Sequence, residues 1–175
     1  MSRRVTIHIQ PDEIDRAIRE LNDWKKWVET KTKEFLKALA DEGVTVASVN
    51  FKKAVYDGDN DVRCKIEKRD ENTMAVMAIG RTVLFIEFGT GVKYPDDHPE
   101  AAKHGMERGG YGYHLGKNPG GWRYKGKKGT NGVRITKGKH KGEIHTYGNP
   151  ANRCLYDSMK ELEDRFVEIA RRIYV

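Results

Sequence analysis

The stretch FIEFGTGVKY, residues 85–94, separates two parts of the chain that differ in composition. Residues 89–148, which begin inside it, hold 15 of the 18 glycines. They also contain 12 Lys and Arg against 5 Asp and Glu, a balance of +7, which equals the formal net charge of the whole chain. The excess positive charge and most of the backbone freedom therefore belong to one internal segment.

The glycines of FIEFGTG do not form a nucleotide-binding loop. Such a loop needs GxxxxGK[ST], or GxGxxG between a strand and a helix, and residues 92–95, VKYP, supply neither pattern. Gly89 and Gly91 flank Thr90 and can both adopt positive φ, which favours a tight turn at the exit of a buried element.

The length and composition of the chain are typical of one domain with an elaboration. At 175 residues, 37% hydrophobic and 34% charged, the sequence predicts a modest core and much surface for solvent or partners. No apolar run approaches the roughly 20 residues of a membrane helix, and residues 1–10 lack the apolar stretch of a signal peptide. We therefore expect no membrane partner and synthesis in the cytoplasm. Cys64 and Cys154 form no CxxC pair, which indicates reduced thiols.

The N-terminal part predicts one long amphipathic helix after a possible edge strand at residues 4–9. Pro11 and Asp12 are typical of a helix entry, and Gly43 is typical of an end. Such a helix is about 45 Å long, more than a small sheet needs, so one end is expected to project toward a neighbour. Its apolar stripe is expected to be mostly core, with some residues shared between subunits. The stripe recurs at three- and four-residue steps: Ile14, Ile18, Leu21, Trp24, Val28, Phe35 and Leu39.

Three strands of an antiparallel meander are predicted next, at residues 44–56, 62–69 and 73–80. The polar clusters DGDND and DEN are interpreted as the hairpin turns between them. Residues 81–88 are equally compatible with a strand or a helical turn.

The C-terminal part predicts a second amphipathic helix. Asn149 is a good N-cap and Pro150 a good first helical residue, and an apolar stripe runs from Leu155 to Ile173 at helical spacing. Between the helices, Asn131-Gly132 before VRIT, and the later EIHTY, favour a short hairpin. The fold class is therefore α+β: a meander sheet packed by two helices, as a single domain over residues 1–175, with a long Gly/Lys-rich arm inserted at residues 89–148.

No motif in the chain indicates catalysis or a cofactor. DGDND has Val62 and Lys68 where a calcium loop needs Gly and Glu. Five histidines fall in residues 89–148, but no pair has HxxxH or HExxH spacing, so we expect surface histidines and no metal site. No GxSxG nucleophile motif occurs. A metal-dependent nuclease that uses His140 and His145 stays open as a lesser alternative.

The glycine-rich segment interleaves aromatic and basic residues. Lysine and arginine neutralise phosphates while tyrosine and tryptophan stack on bases, so nucleic-acid binding is reasonable. The same residue types also anchor protein interfaces, and composition does not separate the two readings. The candidate anchors are Tyr111, Tyr113, Trp122, Arg123 and Tyr124. The candidate basic surface is Lys125, Lys127, Lys128, Lys137, Lys139 and Lys141.

Three pieces, in this order, carry a family resemblance: FIEFGTG at residues 85–91, GYHLGKNPGGWRY at 112–124, and GNPANRCLYDSM at 148–159. Together they resemble the EFGT signature, the glycine- and aromatic-rich stretch and the closing Gly-Pro-small pattern of the putative tail-component, or neck and tail-completion, proteins of HK-type long-tailed phages. The segment is longer and more basic than in that family, and Arg153-Cys154 stands where a proline and an aromatic are common.

The resemblance implies a non-enzymatic virion protein that forms a homo-oligomeric ring at the head–tail junction. Its expected neighbours are the connector or head-completion proteins and the tail-terminator or tail-tube proteins, and a basic segment facing the lumen can contact genomic DNA. The motif at the start of the segment is then interpreted as a hinge that releases the arm, formed by Glu87, Phe88, Gly89, Thr90 and Gly91. The alternative is a nucleic-acid-binding protein whose basic arm orders on DNA or RNA.

Overall fold

The computed structural model describes residues 10–56, 58–90, 97–106, 120–126, 128 and 131–175. The predicted edge strand at residues 4–9 lies outside these ranges. The described part mixes α-helices with two small antiparallel sheets. In chain order its elements are α1 (Pro11–Lys53), β1 (Arg63–Lys68), β2 (Met74–Ile79), α2 (Val83–Glu87), a 3₁₀ turn (Ala102–His104), β3 (Trp122–Tyr124), β4 (Val133–Arg134), β5 (Ile144–Thr146) and α3 (Cys154–Tyr174).

The N-terminal helix is longer than predicted, and the strand predicted at residues 44–56 is wrong because α1 continues to Lys53. Gly43 does not end the helix. It allows close packing, since a Cβ there would lie 2.9 Å from Val76 Cγ2 and 3.0 Å from Leu162 Cδ1. The β-branched residues that suggested a strand are helical because Val46, Ala47 and Phe51 are buried on one face, and tertiary burial overrides a weak local propensity.

The predicted meander is reduced to one hairpin. Strands β1 and β2 pair in antiparallel register from Arg63 opposite Ile79 to Lys68 opposite Met74, which confirms the second and third predicted strands. The Asp70 carboxylate accepts a hydrogen bond from the Asn72 N–H at 2.7 Å and forms the predicted turn between them. DGDND, however, joins α1 to β1 rather than two strands, and residues 83–87 are helical.

A second sheet has the strand order β3–β5–β4, and both of its pairs are antiparallel. The β4–β5 pair confirms the hairpin predicted after Asn131-Gly132. The structure describes only parts of residues 89–148, so an arm that reaches away from the body stays a prediction, as does the single-domain organisation.

The C-terminal helix packs along the second half of α1. The Phe35 ring meets Phe166 edge-on at 5.0 Å between centroids, and the Thr32 hydroxyl lies 3.0 Å from that of Tyr174. A second cluster, of Phe51, Ile86 and Cys154, lies where both helices meet α2. The core therefore sits between the second half of α1, the first hairpin and α3.

The first half of α1 extends beyond this core. Its 43 residues make α1 about 65 Å long, and the last turn of α3 reaches only to Trp27, whose ring is 6.1 Å from Tyr174. The prediction that the stripe is mostly core is wrong for four residues that are 41–51% exposed: Ile14, Ile18, Leu21 and Trp24. None of the described helices combines the length and apolar character that a bilayer-spanning segment requires.

Candidate functional site

The motif EFGT is packed against the segment that leads into α3. We call residues 86–90 together with residues 149–156 the junction. The Glu87 carboxylate is its centre: Oε2 accepts a hydrogen bond from the Leu155 N–H at 2.8 Å, and Oε1 accepts one from the Tyr156 N–H at 3.0 Å. These are second- and third-position amides of α3, which otherwise have no partner within the helix. Glu87 thus caps α3 from a distance of 68 residues in sequence.

The position of the cap explains why α3 begins later than predicted. Asn149 is not the N-cap, and the helix starts at Cys154 rather than at Pro150. Arg153 occupies the N-cap with φ 51°, ψ 36° and makes no side-chain capping bond. The residues before it are paired with the motif instead: the Asn152 N–H donates to the Ile86 carbonyl and the Arg153 N–H to the Glu87 carbonyl. Backbone groups used in this way are not available to a helix.

His98 completes the environment of the Glu87 carboxylate. Its Nε2 lies 3.3 Å from Glu87 Oε1, and both side chains are almost fully buried. The Nδ1 atom accepts a hydrogen bond from the Glu100 N–H at 3.1 Å. In the neutral imidazole the proton is therefore on Nε2, which donates to the carboxylate. The ring also contacts Phe88, at 4.3 Å between centroids. The expectation of a surface residue is wrong for this histidine.

At Gly89 the backbone of the motif lies close to the backbone of residues 149–151. The φ of Gly89 is +75°, and a Cβ would lie 2.7 Å from the Ala151 nitrogen and 2.8 Å from the Asn149 oxygen. The Thr90 N–H donates to the Asn149 carbonyl at 2.9 Å, and the Asn149 N–H donates to Thr90 Oγ1 at 3.1 Å. The two ends of the 89–148 segment are therefore joined at its base. Whether the motif acts as a hinge stays a prediction.

Asn152 links the junction to the end of α1. Its Oδ1 accepts a hydrogen bond from the Val55 N–H at 2.7 Å, and its Nδ2 donates to the carbonyls of Val55 and Ile86. One side chain therefore connects three segments that are distant in sequence. The only sequence signal was its place in NPAN, a polar residue at the start of a predicted helix.

Asp61 binds the start of α2 much as Glu87 binds the start of α3, but its carboxylate is partly exposed. Its carboxylate accepts hydrogen bonds from the backbone N–H groups of Arg81 and Thr82 and from the Thr82 hydroxyl, at 3.1, 3.2 and 2.8 Å. The bond from the Arg81 backbone, with those from Thr82, holds the pKa of this carboxyl well below its usual range. The residue was assigned only to a turn, so its role was missed.

The candidate anchors and basic residues are described in part. Trp122, Arg123 and Tyr124 form β3, while Gly91, Tyr111, Tyr113 and Lys127 lie outside the described residues. The remaining candidate lysines are all exposed: Lys125, Lys128, Lys137, Lys139 and Lys141. Their roles in binding stay predictions.

The charged face of the second sheet contains an open cleft of about 420 Å³. His140 Nδ1 lies 3.0 Å from Glu143 Oε2, and Arg123 Nε lies 3.7 Å from the same oxygen. His145 contacts the Gly120 carbonyl through Nε2. Within the described residues, no group of three or more His, Cys, Asp or Glu side chains is placed to hold a metal ion.

Comparison with known proteins finds no match for this chain. No protein-family model matches the chain, and searches of curated proteins and of solved structures find no match either.

Proposed function

We propose that the chain is a structural subunit of a tailed phage, a neck or tail-completion protein that forms a homo-oligomeric ring between the capsid connector and the tail. It acts without catalysis or a cofactor, and it is assembled in the host cytoplasm into the virion. The proposal is supported by the resemblance of FIEFGTG and GNPANRCLYDSM to the phage family and by one observation on the chain itself, the half-exposed apolar side chains on the first half of α1.

The half-exposed apolar face on the first half of α1 is the surface proposed to bind a protein partner. Ile14, Ile18 and Leu21 follow one another at steps of four and three residues, so they lie on one side of the helix, and each is 41–51% exposed. Contiguous apolar surface of this kind marks an interaction site in soluble proteins. In the second half of α1, Phe35 on the same stripe is covered by Phe166 of α3.

A second copy of the chain fits this face best. The apolar stripe continues beyond the end of α3, so a neighbouring helix can extend packing that already exists within each subunit. α3 offers such a surface, because Met159 and Phe166 are 42% and 48% exposed. A contact between the first half of α1 and α3 of the next copy joins two different surfaces, and such a head-to-tail contact generates a ring when the rotation between copies closes.

The junction contributes a fixed base for the segment that reaches across the subunit boundary. Bonds between Thr90 and Asn149 hold the two ends of the segment together, and His98 is packed against Glu87, so the parts of the segment beyond His98 are the ones proposed to contact a neighbour. In this proposal the segment and α1 both contact the adjacent subunit. The connector or head-completion protein on one side and the tail-terminator or tail-tube protein on the other bind the two faces of the ring.

The proposal is tested by changing the apolar face without adding charge. The double variant Ile18→Gln/Leu21→Gln is expected to fold normally and to fail to enter particles. Its matched control, Arg19→Gln/Lys26→Gln, introduces the same residue on the same helix but away from the stripe, and is expected to assemble. Cryo-electron microscopy of assembled particles, with native mass spectrometry of the purified chain at rising concentration, measures both. Absence of the wild-type chain from particles with a complete head–tail junction contradicts the proposal.

A second candidate function, nucleic-acid binding, is favoured by a different observation, the positively charged second sheet. The two functions are compatible because a ring at this position surrounds the path of DNA.

A further inference from the structure

The net positive charge of the chain is concentrated in the second sheet and its connections. Residues 120–148 contain eight Lys and Arg and one Glu, and eight minus one gives +7. Residues 89–119 contain four basic and four acidic residues and are neutral. Since the whole chain has a formal net charge of +7, the sheet region carries all of the excess.

The strand topology brings these charges to one end of the sheet. β3 and β4 are each antiparallel to β5, so both run toward the end where Tyr124 and Arg134 pair with Ile144. Lys125 follows β3 directly at this end. The loop from β4 to β5, residues 135–143, closes at the same end and carries three exposed lysines: Lys137, Lys139 and Lys141.

The cleft lies on the outward face of the same sheet. Arg123 and His145 are cross-strand partners and share that face, whereas Ile144 and Thr146, the neighbours of His145 along β5, are buried. Glu143 contributes one carboxylate, 3.0 Å from His140 Nδ1. It also forms an ion pair with Arg123, whose Nε lies 3.7 Å away, too far for a hydrogen bond, so this contact within the described residues does not use an Arg123 N–H.

We propose that this cleft binds a phosphate group of a nucleic-acid backbone, with Arg123 as its direct ligand and Lys137, Lys139 and Lys141 on neighbouring phosphates. A planar guanidinium matches the oxygens of a phosphate, and lysine acts as a point charge that neutralises the adjoining ones. The lysine content argues against an acidic protein as the ligand, because lysine is depleted in protein–protein interfaces. This inference rests on the second candidate function, nucleic-acid binding, and it does not require the chain to form a ring.

The experiment measures binding of the full-length chain to a fluorescently labelled single strand and to the duplex of the same sequence, by anisotropy at several salt concentrations. Arg123→Gln is expected to weaken binding roughly tenfold, as loss of one charge-assisted hydrogen-bonding group does. Lys137→Gln/Lys139→Gln/Lys141→Gln is expected to weaken it about tenfold or more and to lower the salt dependence of log K by about 0.7–0.9 per lost contact. The two nucleic acids show which form the site prefers.

A matched triple variant separates a site from a general effect of charge. Lys25→Gln/Lys26→Gln/Lys33→Gln removes three exposed lysines from α1, and it is expected to change binding less than about twofold, because charges outside the contact are screened by salt. Equal losses in the two triple variants overturn the proposal, and so does absence of binding by the wild type at physiological salt. Displacement of the nucleic acid by polyglutamate at equal charge concentration, with the same sensitivity to Arg123→Gln, overturns it in favour of an acidic protein.

Discussion

The junction and the projecting half of α1 both have a recognisable sequence pattern, yet they differ in how far their side chains are buried and paired within the chain. In the junction and at the adjoining His98, the polar groups of Glu87, His98 and Asn152 find partners within the chain. On the projecting half of α1, apolar side chains such as Ile18 and Leu21 stay about half exposed. The polar groups of the first region are satisfied within one chain, whereas in the proposed ring a neighbouring copy covers the second.

Under the proposed function, this difference separates residues that stabilise the fold from residues that bind a neighbouring copy. A buried carboxylate that loses its partners, or buried amides that lose their carboxylate, cost several kcal/mol. An exposed apolar side chain costs the isolated subunit little when it is replaced. Changes in the junction are therefore expected to appear in stability, and changes on α1 in association.

Glu87→Ala is expected to have the largest effect. It removes the acceptor of the Leu155 and Tyr156 amides and leaves His98 buried without its carboxylate. We expect a loss of about 3–5 kcal/mol in the free energy of unfolding, measured by urea unfolding at constant m-value. Glu163→Ala, which changes an exposed glutamate of α3, is the control and is expected to stay within about 0.5 kcal/mol of the wild type. Equal effects of the two variants would show that Glu87 is not the cap.

Gly89→Ala is expected to cost roughly 2–3 kcal/mol, because it combines backbone strain with a steric clash. Its φ is +75°, and the new Cβ would lie 2.7 Å from a backbone nitrogen. Gly105→Ala separates the two causes, since φ there is +67° but nothing lies within 4 Å of the added atom. The control is expected to lose only about 1 kcal/mol. If both variants lose the same amount in urea unfolding, close packing at Gly89 is not the cause.

We expect protonation of the Asp61 carboxylate to lower the stability of the protein in acid. Hydrogen bonds from the Arg81 backbone and from Thr82 lower its pKa in the folded state. The contribution is therefore fully present above the unfolded pKa of about 3.9 and is lost as the pH falls below it. Thermal unfolding between about pH 5 and pH 2 is expected to depend less steeply on pH in Asp61→Asn than in the wild type. Parallel profiles would exclude Asp61 as a source of the dependence.

Ile18→Gln/Leu21→Gln is expected to have the smallest effect on the isolated subunit. Both residues are about half exposed, and glutamine is a good helix former, so the free energy of unfolding measured on the monomer should change by less than about 0.5 kcal/mol. A loss of several kcal/mol would show that the face is already covered within one chain, and would remove the contrast between α1 and the junction.

Several local features could be predicted because their signal is local. The long helix begins at Pro11, the β1–β2 hairpin follows from two short segments separated by a polar turn, and Asn131-Gly132 precedes β4. The prediction of a strand at residues 44–56 was wrong because β-branched residues favour strands only weakly. Burial of Phe51 on the helix outweighs that preference. A glycine such as Gly43 looks the same in sequence whether it ends a helix or lets another element approach it.

The sequence by itself determined the periodic segments, the position of the excess charge and the presence of a tight turn at Gly89, since each depends on residues that are neighbours in the chain. Only the tertiary structure decided that Glu87 caps α3, that His98 is buried beside it and that apolar side chains on the first half of α1 stay about half exposed. The physical reason is that capping and burial depend on groups brought together from distant positions, and no local pattern specifies which groups will meet.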